Sequence, residues 1–170
     1  MAICKPNFFL LTGGPGVGKT TLIEELRRRG ERVVEETHRR IIREARARSG
    51  SVWLGTLAAR EDIAQFGAMA QVQARVFFDR GVIDSLTDTA PDWMWAAARR
   101  LRYNELVFVP APWPEIYVQD AERRQTFRDC LKTHATIVQR LNELGYRPVE
   151  VPRATPVERA DFVLAVAANA

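Results

Sequence analysis

Only two cysteines, Cys4 and Cys130, occur in the 170 residues, far apart and with no C-x-x-C partner. That argues against a zinc site and a disulfide framework, and it suits reduced core thiols in a cytoplasmic protein. Long hydrophobic runs are also missing. No apolar stretch approaches the roughly 20 residues a membrane-spanning helix needs. The run Phe8-Phe9-Leu10-Leu11 passes straight into glycines, with no cleavage site after it, so it reads as a buried first strand rather than a signal peptide. Internal repeats, low-complexity tracts and linkers are absent, and residues 1–170 are expected to form a single domain. The two histidines, His38 and His134, stand in helical stretches without a ligand partner nearby in sequence.

Apolar residues make up 46% and charged residues 27%, an ordinary globular balance with enough length for a proper core. The net charge of +4 comes from arginine far more than lysine. A basic surface suits nucleic acid or phosphorylated small molecules equally well. No nucleic-acid recognition motif accompanies the arginines, so nucleic acid is not the expected partner.

Five short apolar segments read as strands, at residues 8–12, 32–36, 75–79, 106–110 and 147–151. Val76-Phe77-Phe78 and Val107-Phe108-Val109 are continuously apolar, as strands covered on both faces are. Helical spacing predicts helices over 19–29, 37–48, 57–74, 121–144 and 156–168. Strand–helix alternation of this kind predicts an α/β fold of three layers, a parallel sheet with helices on both faces. In such a fold the site lies at the carboxyl ends of the strands. The residues after each strand are therefore the candidates.

After the first strand comes Gly13-Gly14-Pro15-Gly16-Val17-Gly18-Lys19-Thr20, which satisfies G-x-x-x-x-G-K-[ST] between a strand and a helix. From average residue usage the bare pattern arises by chance on the order of once in a hundred chains of this length. Glycines let the backbone turn its N–H groups toward phosphates, and the helix N-terminus adds unpaired donors and a positive dipole end. Lys19 supplies a charge to the β- and γ-phosphates of ATP, and the Thr20 hydroxyl ligates Mg²⁺. Similarity to other loops of this type places Thr21 by the α-phosphate. A dinucleotide-binding G-x-G-x-x-G is not matched, because Gly16-Val17-Gly18-Lys19-Thr20-Thr21 ends in threonine.

Phe77-Phe78-Asp79-Arg80-Gly81 ends the third strand. Asp79 is placed as the second partner of Mg²⁺. Its alternative role is capping the helix that begins near Val82. Asp79-Arg80-Gly81 resembles the Asp-Arg-x segment of nucleoside and nucleotide kinases, which implies an aspartate on metal or acceptor hydroxyl and an arginine on phosphate. Glu35-Glu36 ends the second strand, and since neighbouring strand residues point oppositely, one alone can face the cleft. Glu36 is the choice for a base on the acceptor, and helix-dipole compensation is the alternative. Between the fourth strand and the long helix lies Asp120-Ala121-Glu122-Arg123-Arg124. Kinases of similar architecture carry an arginine-bearing lid here, so Arg123 and Arg124 are candidates for neutralising the transferred phosphoryl group.

Taken in this order, the segments resemble the small P-loop domains related to ribosylnicotinamide kinase, which are grouped with AAA-family ATPases. The stretches Leu144-Gly145-Tyr146-Arg147-Pro148-Val149-Glu150-Val151-Pro152 and Pro156-Val157-Glu158-Arg159-Ala160-Asp161-Phe162-Val163-Leu164 carry the resemblance furthest. It implies a five-stranded sheet of order 2-3-1-4-5, a helical lid, and ATP with Mg²⁺ as cofactors. The expected activity is transfer of the ATP γ-phosphoryl to a hydroxyl of a nucleoside-like small molecule. The alternative is a nucleotide-dependent ATPase or switch that binds a protein or lipid partner.

Overall fold

The computed structural model describes residues 1–35, 51–117 and 125–170. Short strand β1 (Ile3–Cys4) precedes β2 (Phe8–Leu11), which runs through the glycine-rich loop into α1 (Lys19–Arg28). Next come β3 (Arg32–Val34), α2 (Ser51–Ala68), β4 (Val76–Asp79), a 3-10 turn at Val82–Ser85, α3 (Asp92–Arg100) and β5 (Leu101–Arg102). β6 (Leu106–Pro110), a 3-10 turn at Pro114–Ile116, α4 (Phe127–Glu143), β7 (Arg147–Val151) and α5 (Pro156–Ala168) complete the chain.

Five strands form one parallel sheet in the order β3-β4-β2-β6-β7. Counted among themselves in chain order, these are strands 2-3-1-4-5, as expected. Strands buried on both faces need apolar residues at every position, and β2 and β4 meet that demand. Phe8, Leu10 and Phe78 enter one core with Phe66 of α2, Met94 of α3 and Leu141 of α4. Phe9, Leu11 and Phe77 enter the other with Leu22 and Leu26 of α1 and Val163 of α5. The period of two thus divides adjacent phenylalanines between two helical layers. Truncating a fully buried ring such as Phe78 to alanine costs about 3–5 kcal/mol.

Several boundaries depart from the sequence expectation. The helix expected over 57–74 runs over Ser51–Ala68. Beyond Ala68 the Asn7 amide donates to the carbonyls of Val72 and Ala74, at 2.9 and 2.8 Å. Tight turns, Ala70 N to Gly67 O and Val72 N to Met69 O, bring the chain back to β4. α4 starts at Phe127 rather than 121, because Thr126 and Asp129 form a reciprocal capping box. The 37–48 helix and residues 121–124 lie outside the described residues. Cys130 is buried, whereas Cys4 is exposed on β1, so the core expectation holds for one thiol and not for the other. β1 pairs with β5 in a separate two-stranded parallel ribbon, which no apolar run announces.

Candidate functional site at the phosphate loop

The loop leaves β2 at the carboxyl edge of the sheet, where Thr12 N still donates to Phe108 O at 3.0 Å. Gly16 and Gly18 take φ of 73° and 76°, left-handed values that L side chains rarely adopt. Gly18 is the residue that opens α1. Lys19, only 8% exposed, folds back across the loop and donates to Gly13 O and Gly14 O, both at 2.9 Å. Its charge is therefore held against the loop rather than extended into solvent. The Thr20 hydroxyl is exposed and makes no hydrogen bond among the described residues. The Thr21 hydroxyl turns back to Gly18 O at 3.0 Å.

Next to this loop in the sheet, Asp79 is a buried carboxylate in register with Leu11. Arg80 N bonds Leu11 O at 2.9 Å, so the turn after β4 is fastened to the strand that feeds the loop. Arg80 has φ 71°, a left-handed backbone costing a non-glycine residue about 1–2 kcal/mol. Strain of this kind persists where the surroundings over-determine it, and it concentrates at functional sites. The restraint here is Asp84, whose buried carboxylate accepts from Arg80 Nη1 at 3.1 Å, from Gly81 N at 3.0 Å and from the Thr12 hydroxyl. Gly81, not Asp79, stands at the N-cap of the 3-10 turn, so the capping role considered for Asp79 does not apply.

Glu35 lies on the surface and pairs with Arg27 of α1 at 2.5 Å. Glu36, Arg123 and Arg124 lie outside the described residues. The chain on either side of the 118–124 segment converges on the loop. The Tyr117 hydroxyl donates to Gln125 O at 2.6 Å, and its ring meets Phe127 edge-on at 5.5 Å. A Cβ placed on Gly16 would come 2.6 Å from that tyrosine ring.

A third element reaches the loop from α5. Arg159, 2% exposed, donates to Val17 O at 2.9 Å and to Gly18 O at 3.4 Å. Burial holds its guanidinium below the ordinary arginine range. Sequence reasoning singled out neither Arg159 nor Asp84 nor Tyr117. A signal existed for Arg159, which occupies the inner-face helical series with Ala160, Val163 and Ala167.

A glycine-rich loop between β2 and α1, with an acid at the end of the adjoining β4, defines a P-loop domain of nucleoside-kinase-like fold. The chain belongs to the AAA domain family, whose profile matches residues 8–159. A sequence search of curated proteins finds no significant match. Among solved structures, the chain is similar to NadR in complex with NR, with TM-score 0.74 and 17% identity over 96% of this chain. It spans about half of that protein, 52% of its length. It is also similar to deoxyadenosine kinase from M. mycoides with products dCMP and dCDP, with TM-score 0.69 and 9% identity over 96% of this chain and 100% of the other. Shikimate kinase from Acinetobacter baumannii in complex with shikimate aligns at TM-score 0.58 and 15% identity, over 96% of this chain and 93% of the other. At these identities the likeness establishes the fold. No helix among the described residues is long and apolar enough to cross a membrane.

Proposed function

We propose that the chain is a Mg²⁺-dependent ATP phosphotransferase that moves the γ-phosphoryl group to a hydroxyl of a nucleoside-like small molecule. The observation carrying this reading is the pairing of two features on adjacent strands. A buried lysine lies folded into a phosphate loop, and beside it Asp79-Arg80 stands in a strained, tethered turn. An aspartate beside the loop would serve a switch as well; the arginine held next to it is what favours a phosphoryl acceptor. The kinase neighbours, which act on different small acceptors, support the reaction class without selecting an acceptor.

In this reading the loop's N–H groups and Lys19 bind the β- and γ-phosphates. An exposed hydroxyl and a single buried carboxylate suit Mg²⁺, which takes few protein ligands and shares phosphate oxygens. Thr20 and Asp79 would hold it, and when bound it would neutralise charge on the transferred group. Arg80 would serve the acceptor side, Glu36 would take the hydroxyl proton, and Arg123 or Arg124 would neutralise charge on the phosphates.

The test is ADP release measured with and without a panel of nucleosides and small polyols, alongside Lys19→Ala. Acceptor-dependent ADP formation that Lys19→Ala abolishes is the expected result. That variant should also lose about tenfold or more in ATP affinity, roughly 1.4 kcal/mol. Slow hydrolysis indifferent to every acceptor would replace the kinase with a nucleotide-driven switch.

A further inference from the structure

Arg159 presents an electrostatic problem that the described residues do not solve. Its guanidinium is buried on the inner face of α5 among apolar residues. Two bonds to loop carbonyls satisfy part of its fork, and its Nε, also buried, finds no acceptor among the described residues. No carboxylate among the described residues pairs with it. The acids beside it in sequence are engaged elsewhere. Glu158 accepts from Thr155 N at 2.9 Å and from its hydroxyl at 2.7 Å, while Asp161 pairs with Arg29 at 2.5 Å. Carbonyl dipoles solvate a cation but do not cancel its charge, and an uncompensated buried ion is costly.

The position of the charge suggests what compensates it. In a trans peptide the C=O and the following N–H point in opposite directions. Arg159 holds the Val17 carbonyl at 2.9 Å and shares the Gly18 carbonyl with Leu22 N and the Thr21 hydroxyl, so the N–H groups of Gly18 and Lys19 point away from the guanidinium. A cation at the carbonyl end also polarises each peptide and strengthens its N–H as a donor. Gly18 must be glycine for this approach, since a Cβ there would come 2.6 Å from Arg159 Nη1.

We infer that Arg159 is the fixed countercharge behind the phosphate loop: it compensates bound polyphosphate across the loop and aims the Gly18 and Lys19 N–H groups at it. The inference rests on the ATP-binding reading above and extends it to a residue outside the P-loop motif. Arg159 is thus a positioning residue whose effect scales with the charge of the ligand.

Calorimetry on the full chain tests this with ATP, inorganic tripolyphosphate, pyrophosphate and adenosine, for the wild type, Arg159→Met and Arg159→Lys. Arg159→Met should weaken ATP and tripolyphosphate about tenfold or more, pyrophosphate less and adenosine not at all. Its melting temperature without ligand should hold or rise, because an apolar side chain of similar length removes the buried charge. Arg159→Lys should recover much of the tripolyphosphate affinity. If Arg159→Met does not fold, Arg159→Gln, which keeps a donor for Val17 O, carries the same expectation. Unchanged affinities, or equal losses for adenosine and ATP, would overturn the inference and leave the proposed function intact. A wild type that binds neither ATP nor tripolyphosphate would overturn both.

Discussion

The ring of Tyr117 rests on Gly16 so closely that the smallest side chain at that position would meet it at 2.6 Å. The contact ties the chain leaving β6 to the phosphate loop, and the same tyrosine hydroxyl holds Gln125.

Gly16→Ala therefore faces both a clash and a left-handed backbone. The expected cost is about 1–3 kcal/mol in stability, together with weaker ATP binding. Adding Tyr117→Ala should relieve the clash and return part of both losses, measured by denaturant unfolding and calorimetry. No recovery in the double variant would mean that backbone strain alone is responsible.

Asp79→Asn keeps the shape of the carboxylate and removes its charge. Turnover should fall about tenfold or more, a barrier increase of roughly 1.4 kcal/mol, with ATP affinity far less affected and part of the rate recovered at high Mg²⁺. A titration of rate against Mg²⁺ decides this. Full activity at low Mg²⁺ would remove Asp79 from the metal site.

Acceptor chemistry and phosphate chemistry should separate by residue. Glu36→Gln is expected to abolish acceptor-dependent phosphorylation while leaving ATP affinity near wild type. Changing Arg123 and Arg124 together to alanine should lower kcat more than acceptor KM, since their charge matters most as the phosphoryl group moves. Steady-state kinetics with a responsive acceptor gives both comparisons.

The contact between α1 and α5 carries a pH signature. Glu25 accepts from Arg28 at 2.7 Å and from Arg29 at 2.8 Å, which lowers its pKa to about 2. Arg29 extends the link to Asp161 of α5 at 2.5 Å. A carboxylate depressed in the folded state contributes stability above its unfolded pKa and loses it as pH falls through the folded value. Stability from Glu25 should accordingly be complete above about pH 4.5 and fade toward pH 2. Glu25→Gln should lower the melting temperature at pH 7 and flatten its fall across that acid range.

The strands and the loop were legible from local chemistry, while the order of the strands in the sheet came from the family resemblance. Leu106–Pro110, Arg147–Val151 and Pro156–Ala168 were read to the residue, because apolar runs, a proline in the first helical turn and flanking glycines act within a few residues. The place of Asp79 at a strand end was legible because Val76-Phe77-Phe78 is continuously apolar and Gly81 follows close behind. The start of α4 is written as Thr126-Phe127-Arg128-Asp129, a capping box whose acid is aspartate rather than the glutamate or glutamine of the usual signature.

What the sequence determined by itself was a phosphate-binding loop on a parallel sheet, since glycine spacing, a lysine at the helix start and buried strands are all local statements. Tertiary structure decided which groups guard that loop. Asp84 restrains Arg80 because the turn after β4 brings it to Thr12, just past the end of the neighbouring strand. Arg159 reaches Val17 from 142 positions away. The helical series with Ala160, Val163 and Ala167 marks the face Arg159 occupies, but no local pattern tells what that arginine meets, because its partners are supplied only when the helix docks against the sheet and the loop.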